Sequence, residues 1–239
     1  MTVENKTIII SGASRGIGRA TALLLASHGA NVVVTARNAD DLNQLEAEAT
    51  AGHTRGKLIA VPGDVSNEAD MEAVVKAALD QFKRIDVVIN NAGFGIFKNV
   101  EEISVSEWDD VMATNVKGTF LLTKAALPTL KAQGSGHIVV VASDVAKRTF
   151  AGGALYTASK YAQEAFMGAL RKEVRPFGIK VTGVYSGLVD SNFHNKPGDE
   201  SSKNWLKNED MAESMLFIVS RPAHVVIDEF MVHPLEQAY

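Results

Sequence analysis

Short β-branched runs alternate with longer, helically spaced stretches along the chain, and this alternation constrains the fold more than any other feature. Residues 7–10 precede a helical stretch over 15–27, 31–35 precede 40–49, 57–61 precede 68–82, and 87–90 precede 106–130. Then 137–142 precede 154–174, 180–185 lead through a polar loop into 210–220, and a last run covers 225–232. Strands alternating with helices imply crossover connections and a parallel sheet covered on both faces. The runs Ile8-Ile9-Ile10, Val32-Val33-Val34 and Val139-Val140-Val141 are continuously apolar, as strands buried on both sides must be. The pattern predicts an α/β fold with a single doubly wound parallel sheet of about seven strands, in one domain over 1–239. The stretch 191–203, rich in Ser, Asn, Asp, Gly and Pro, reads as a surface loop rather than a domain boundary.

Composition enters as a set of exclusions. With 46% hydrophobic residues the chain can build a full core without a metal or disulfide staple. The absence of cysteine removes disulfides, thiolate nucleophiles and thiolate metal sites together. His194 and His233 lack the paired spacing of metal ligands, so no metal is expected. A net charge of −4 without a run of like charges argues against a nucleic-acid partner. The first apolar run is too short for a signal core or a membrane span, so a cytoplasmic protein with no membrane partner is expected.

Between the first strand and the first helix lies Ser-Gly-Ala-Ser-Arg-Gly-Ile-Gly, residues 11–18. Gly12, Gly16 and Gly18 remove side chains where backbone must turn sharply and approach a pyrophosphate, and the helix behind them offers free N–H groups to that anion. The spacing is Gly-x-x-x-Gly-x-Gly, and a tight strand-to-helix turn without a ligand is the alternative. Sites for NAD usually carry an acid about 20 residues beyond the glycines, bonded to the ribose 2′-hydroxyl. Here the second strand ends in Ala36 and Arg37, with no carboxylate until Asp40. Arg15 and Arg37 together suit a 2′-phosphate, which a guanidinium grips bidentately, so NADP(H) is the expected cofactor. Either arginine alone would read as a solvated surface charge.

Further on come Asn90-Asn91-Ala92-Gly93, Asn115, Ser143, and Tyr156 with Lys160. Tyr156 and Lys160 are four apart, so on a helix they share a face. A tyrosine is a poor base at neutrality, and a nearby ammonium would bring its pKa down. An isolated Tyr-x-x-x-Lys would otherwise be two unrelated surface side chains. With the glycine turn, these motifs resemble the short-chain dehydrogenase/reductase family, in order and spacing, over nearly the whole chain.

The resemblance implies a Rossmann-like fold and an oxidoreductase that moves a hydride between nicotinamide and a carbonyl/hydroxyl pair. It makes Tyr156 the general acid/base, Lys160 the residue that lowers the tyrosine pKa and holds the nicotinamide ribose, and Ser143 the partner of the substrate oxygen. Asn115 would hold a relay water, or merely kink its helix. The cofactor-binding set it implies comprises Gly12, Ser14, Arg15, Gly16, Ile17, Gly18 and Arg37, then Asp64, Val65, Asn91, Ala92 and Gly93. Tyr156, Lys160, Gly187, Val189 and Ser191 complete the set. Asp64 alone could equally be a helix cap. The chain departs from the family pattern after the sixth strand, where Tyr185-Ser-Gly-Leu stands in place of Asn-Pro-Gly, and at its carboxyl end, which lacks an Asp-Gly-Gly segment.

By the same resemblance, 94–97, 144–150 and 185–194 line the substrate pocket, with aromatic walls from Phe94, Phe97, Phe150, Tyr185 and Phe193, and with Lys147 and Arg148 nearby. Such walls suit an apolar or planar substrate, whereas Arg148 either meets the carboxylate of a small 3-oxo or hydroxy acid or stands as a rim charge facing water. The expected activity is an NADPH-dependent reduction of a ketone or 3-oxo acid, or its reverse. A 3-oxoacyl-thioester reductase and a catalytically idle NADP(H)-binding regulator are the alternatives. Apolar residues on several faces of 106–130 and 154–174 (Phe120, Leu121, Leu122, Phe166, Met167, Leu170) point to deep burial or a subunit contact, hence a homo-oligomer, dimer or tetramer.

Overall fold

The structure, a computed structural model, describes residues 2–191, 193 and 203–237. Seven strands form one sheet in the order β3-β2-β1-β4-β5-β6-β7, every adjacent pair parallel. The strands are β1 (Thr7–Ser11), β2 (Asn31–Thr35), β3 (Leu58–Ala60), β4 (Val87–Asn90), β5 (Gly136–Val141), β6 (Ile179–Ser186) and β7 (Glu229–Val232). The helices are α1 (Gly16–Ser27), α2 (Ala39–Ala51), α3 (Glu68–Phe82), α4 (Val105–Met112), α5 (Gly118–Gln133), α6 (Ala154–Val174) and α7 (Asn208–Val219).

The continuous apolar runs serve two cores at once. Ile8, Ile10, Val32, Val34, Val139 and Val141 point into one cluster, which Leu25 of α1 and Met215 of α7 complete. Ile9, Val33, Ile138 and Val140 point into the other, closed by Val74 of α3, Leu122 of α5 and Met167 of α6. Successive side chains alternate faces, so a run with no polar residue is what a sheet sandwiched between helices requires. Each such side chain contributes about 1.5–3 kcal/mol when fully buried.

From β1 the chain winds outward to β3, then returns to β4 and winds the other way. That reversal opens a crevice at the carboxyl ends of β1 and β4, where the glycine turn and Asn91 lie. Two expected elements differ. The helix read over 106–130 is broken by a π-helical turn, Ala113–Lys117, between α4 and α5. The final run pairs as strand only from Glu229; before it, the Thr182 hydroxyl and Lys180 Nζ donate to the carbonyls of Ile227 and Val225.

Candidate active site

The glycine turn is shaped by contacts that leave no room for side chains. Gly12 has φ +65°, and a Cβ there would stand 2.7 Å from Ala92 Cα. A Cβ on Gly18 would stand 2.5 Å from both Asn91 Nδ2 and the Gly12 carbonyl oxygen. Asn91 pins this arrangement: its Nδ2 donates to the carbonyls of Ser11 and Gly12, each at 3.0 Å. The Asn91 and Ala92 N–H groups donate to Ser11 Oγ. Gly16, at φ +60°, faces more open space, with Ser191 Cβ and Asn208 Oδ1 each 3.7 Å from where its Cβ would be.

This cradle fits a dinucleotide phosphate. The amino end of α1 begins at Arg15 with no side-chain cap and no acid in its first turn, whereas Asn38, Asn67 and Ser104 cap α2, α3 and α4. An uncapped helix start leaves N–H donors and the positive dipole end for an anion. Arg15 and Arg37 are both exposed, Arg37 just beyond the end of β2. Asn208 Oδ1, beside Gly16, is buried and has no hydrogen-bond partner among the described residues, so it fits as an acceptor for a ligand donor. The Asp64 carboxyl is raised by burial. Hydrogen bonds from Ser66 and the charges of Arg37 and Lys117 outweigh this and hold it below the usual range. Asn67, not Asp64, caps α3; Asp64 accepts from the Ser66 N–H and hydroxyl. Val65 is buried against Gly118 at the start of α5. Ser14 and Ile17 are half-buried in the turn and in the first turn of α1.

Ser143, Tyr156 and Lys160 converge at the ends of β5 and α6, all buried. Lys160 Nζ donates to the Val141 carbonyl at 3.0 Å and lies 5.6 Å from the centroid of the Tyr156 ring. Burial lowers its pKa from 10.5 to about 7. The expected lowering of the tyrosine is not what the protein's own groups produce. Burial pushes the Tyr156 phenol well above its ordinary value, a hydrogen bond with Ser143 pulls it back in part, and the Asp144 charge raises it. The Tyr156 phenol is therefore protonated at neutrality.

Asn115 sits in the π-helical turn, so it marks the kink; its side chain is also fully used. Its Oδ1 accepts from the Phe94 N–H at 3.0 Å, and its Nδ2 donates to the Phe94 carbonyl and to Ser159 Oγ, each at 2.9 Å. Its own carbonyl accepts from Gln163 Nε2 and Thr119 Oγ1. A Cβ on Gly93 would press on Asn115 Oδ1 at 3.2 Å and stand 3.7 Å from Lys160 Nζ, so Gly93 keeps loop and lysine together.

In the loop after β6, a Cβ on Gly187 would meet Gln237 Oε1 at 2.1 Å, so its bareness admits the carboxyl-terminal segment. Val189 is buried in the α1–α7 core, and Ser191 Oγ accepts from the Phe193 N–H. The pocket wall needs one correction. Tyr185 is fully buried with its hydroxyl on Glu164, away from the expected wall. Lys147 is held by Glu164 and Glu229. Arg148 donates through both Nε and a terminal nitrogen to Asp144 Oδ2. His233 Nε2 lies 3.6 Å from the same carboxylate. His194, and the loop positions 192 and 194–202, lie outside the described residues. Among the described residues no group of three or more His, Asp or Glu side chains is arranged to hold a metal, and no helix is long and apolar enough to cross a membrane.

The sequence reading missed four residues. Asp144 gathers bonds from Ser143, Arg148 and Gln237; Gln163 holds the Asn115 carbonyl; Ser159 receives its amide; Asn208 flanks Gly16. Ser159 and Gln163 carried a signal, since both share the helical face of Tyr156 and Lys160, and Asp144 opens the segment expected along the pocket.

A family model described as short chain dehydrogenase matches residues 6–201. An uncharacterised oxidoreductase of Staphylococcus haemolyticus is 34% identical over 233 residues, covering 98% of this chain and 99% of the relative. The structure of an alcohol dehydrogenase from the archaeon Thermococcus sibiricus, complexed with 5-hydroxy-NADP, is 32% identical and superposes with a TM-score of 0.92 over 98% of each chain. A 3-ketoacyl-(acyl-carrier-protein) reductase from Brucella melitensis, complexed with NADH, is 29% identical, with a TM-score of 0.88 over 98% of this chain and 99% of that one. The doubly wound sheet, the glycine turn and the Ser-Tyr-Lys set thus define a nicotinamide-dependent class of oxidoreductase. The chain belongs to the short-chain dehydrogenase family.

Proposed function

We propose that this protein is an NADPH-dependent carbonyl reductase, interconverting a ketone and its secondary alcohol. The observation that carries the reading is the convergence of Ser143, Tyr156 and Lys160, buried together beside the crevice that the glycine turn shapes. When bound, the dinucleotide supplies the hydride for the carbonyl carbon. The residues that would hold it are the uncapped start of α1 and Asn208, with Arg15 and Arg37 on a 2′-phosphate. Relatives solved with NADP and with NADH both share this fold, so the preference for NADPH rests on the two arginines and the missing acid after β2.

Ser143 Oγ and the Tyr156 hydroxyl then hold the substrate oxygen between them, and Tyr156, protonated at neutrality, gives that oxygen its proton. Lys160, one turn further along α6, would hold the nicotinamide ribose, and Asn115 fixes the 91–97 loop that covers the phenol. Binding of NADPH and NADH followed by nucleotide fluorescence, with a panel of ketones, oxo acids and acyl thioesters, tests this. Expected are tighter binding of NADPH, a preference erased in Arg37→Ala, and turnover of a ketone. Preference for NADH sinks the cofactor assignment, and an acyl thioester turned over above every ketone makes the protein a thioester reductase instead.

The protein is further read as a homo-oligomer. Leu121, Leu122, Met167 and Leu170 are spent in the chain's own core, but Trp108, Phe120 and Tyr161 of α4, α5 and α6 remain exposed. A single-chain mass by light scattering at micromolar concentration overturns that assignment.

A further inference from the structure

The wall beside Tyr156 is aromatic. Phe97 meets the Tyr156 ring edge-on at 5.4 Å between centroids, and Phe193 lies tilted at 5.5 Å. Phe150 continues the wall, 6.0 Å from Phe97. Phe97 and Phe150 are 42% and 39% exposed, so these rings present apolar surface beside the acid that does the chemistry instead of burying it in the core. Partly exposed aromatic clusters of this kind mark recognition surfaces, and their preferred partners are apolar and planar groups.

The cations of the same region are committed elsewhere. Asp144 is 5% exposed. Its Oδ2 accepts from Arg148 and, at 2.8 Å, from Gln237 Nε2, while its Oδ1 accepts from Ser143 Oγ at 3.1 Å. Gln237 Oε1 in turn accepts the Leu188 N–H at 2.8 Å, which ties the carboxyl-terminal segment to the loop after β6 and both to the catalytic serine. A substrate carboxylate approaching Arg148 would meet a guanidinium whose charge Asp144 already compensates, and would stand close to that second carboxylate.

We propose that the substrate is an uncharged ketone bearing an aryl or similar ring on one side of its carbonyl, recognised by the Phe97, Phe150 and Phe193 wall. In this proposal Asp144 is the specificity residue that withholds Arg148 from oxo acids. It rests on the carbonyl-reductase reading above and replaces the small oxo acid expected from Arg148 alone.

The test compares kcat/KM with NADPH for phenylacetone, butanone and acetoacetate. Phenylacetone should exceed butanone by about tenfold or more, in line with what a well-fitted apolar pocket discriminates, and acetoacetate should be poorest. Phe150→Leu should cost phenylacetone about fivefold more than butanone, mainly through KM, because uniform binding is what is lost. Asp144→Asn should raise the acetoacetate-to-butanone ratio, a readout that a purely structural defect would not move. Acetoacetate at or above phenylacetone in the wild-type enzyme overturns the proposal. So does a Phe150→Leu variant that lowers both ketones equally, or an Asp144→Asn variant with an unchanged acid-to-ketone ratio. The carbonyl-reductase reading fails differently: NADPH binds and no carbonyl compound in the panel is turned over, and the proposal then falls with it.

Discussion

The turn over residues 11–18 and the segment over 143–160 approach the same crevice from β1 and β5, with β4 between them, and they are made from different materials. The first is backbone. Its glycines allow peptide groups to approach Ala92 and Asn91 at distances a side chain would forbid, and its one arginine, Arg15, is left facing solvent. The second is side chain. Ser143, Tyr156 and Lys160 are buried; Ser143 is hydrogen-bonded to Asp144 and to Tyr156, and Lys160 to the Val141 carbonyl. A surface that receives a charged ligand can remain solvated until the ligand comes. Groups that must hold or move a proton at one atom have to be desolvated beforehand, and that costs the folded protein stability.

The largest effect this contrast predicts is at Lys160. Replacing it by Met keeps the length and removes an amine that is 4% exposed. Activity should fall by about a hundredfold or more, as when a proton-transfer partner is lost, while thermal stability at pH 7 rises. The pH dependence supplies the check. Lys160 titrates at about 7 when folded and near 10.5 when unfolded, so between those values the unfolded chain binds the extra proton. The cost of the buried charge is therefore full below about 7 and fades as pH rises towards 10.5. Melting curves from pH 6 to 10 should show wild-type stability gaining on the variant; parallel curves would break the comparison.

A smaller effect is expected in the backbone half. Gly12→Ala places a Cβ 2.7 Å from Ala92 Cα at a φ of +65°. The strain should cost about 1–3 kcal/mol of stability and weaken NADPH binding, because the displaced backbone belongs to the cradle. Here stability and binding fall together, whereas at Lys160 they move apart. A Gly12→Ala variant with wild-type melting and wild-type affinity would show that close approach does not shape the turn.

The same contrast decides what could be read from the sequence. The order of strands and helices was legible because continuous apolar runs and helical spacing are local, and nearly every boundary lies within two residues of its expected place. The glycine turn and the Tyr156–Lys160 pair were legible for the same reason. The π-helical turn was not: Ala113–Lys117 has no proline or glycine to announce it, and what it satisfies lies on Phe94 and Gln163, distant in the chain. Nor was the role of Arg148, since its position beside the pocket was anticipated but its commitment to Asp144 depends on a carboxylate held in place from Gln237. The Tyr156 phenol is raised and not lowered because burial, which no motif encodes, and the Asp144 charge outweigh the hydrogen bond with Ser143.

The break between α4 and α5 bears on how this chain can tolerate change in length. A π-turn is an α-turn with one residue inserted, and the insertion here falls beneath Asn115. Deleting any one of residues 113–117 would yield a smoother, more regular helix, yet it would rotate everything on one side of the cut by about 100° relative to the other. Asn115 would then no longer face Phe94, and the loop beside Tyr156 would lose its anchor. At this point in the chain the irregular helix is the one that anchors the 91–97 loop, and single-residue deletions that local helix preference would favour are those this anchor can least accept.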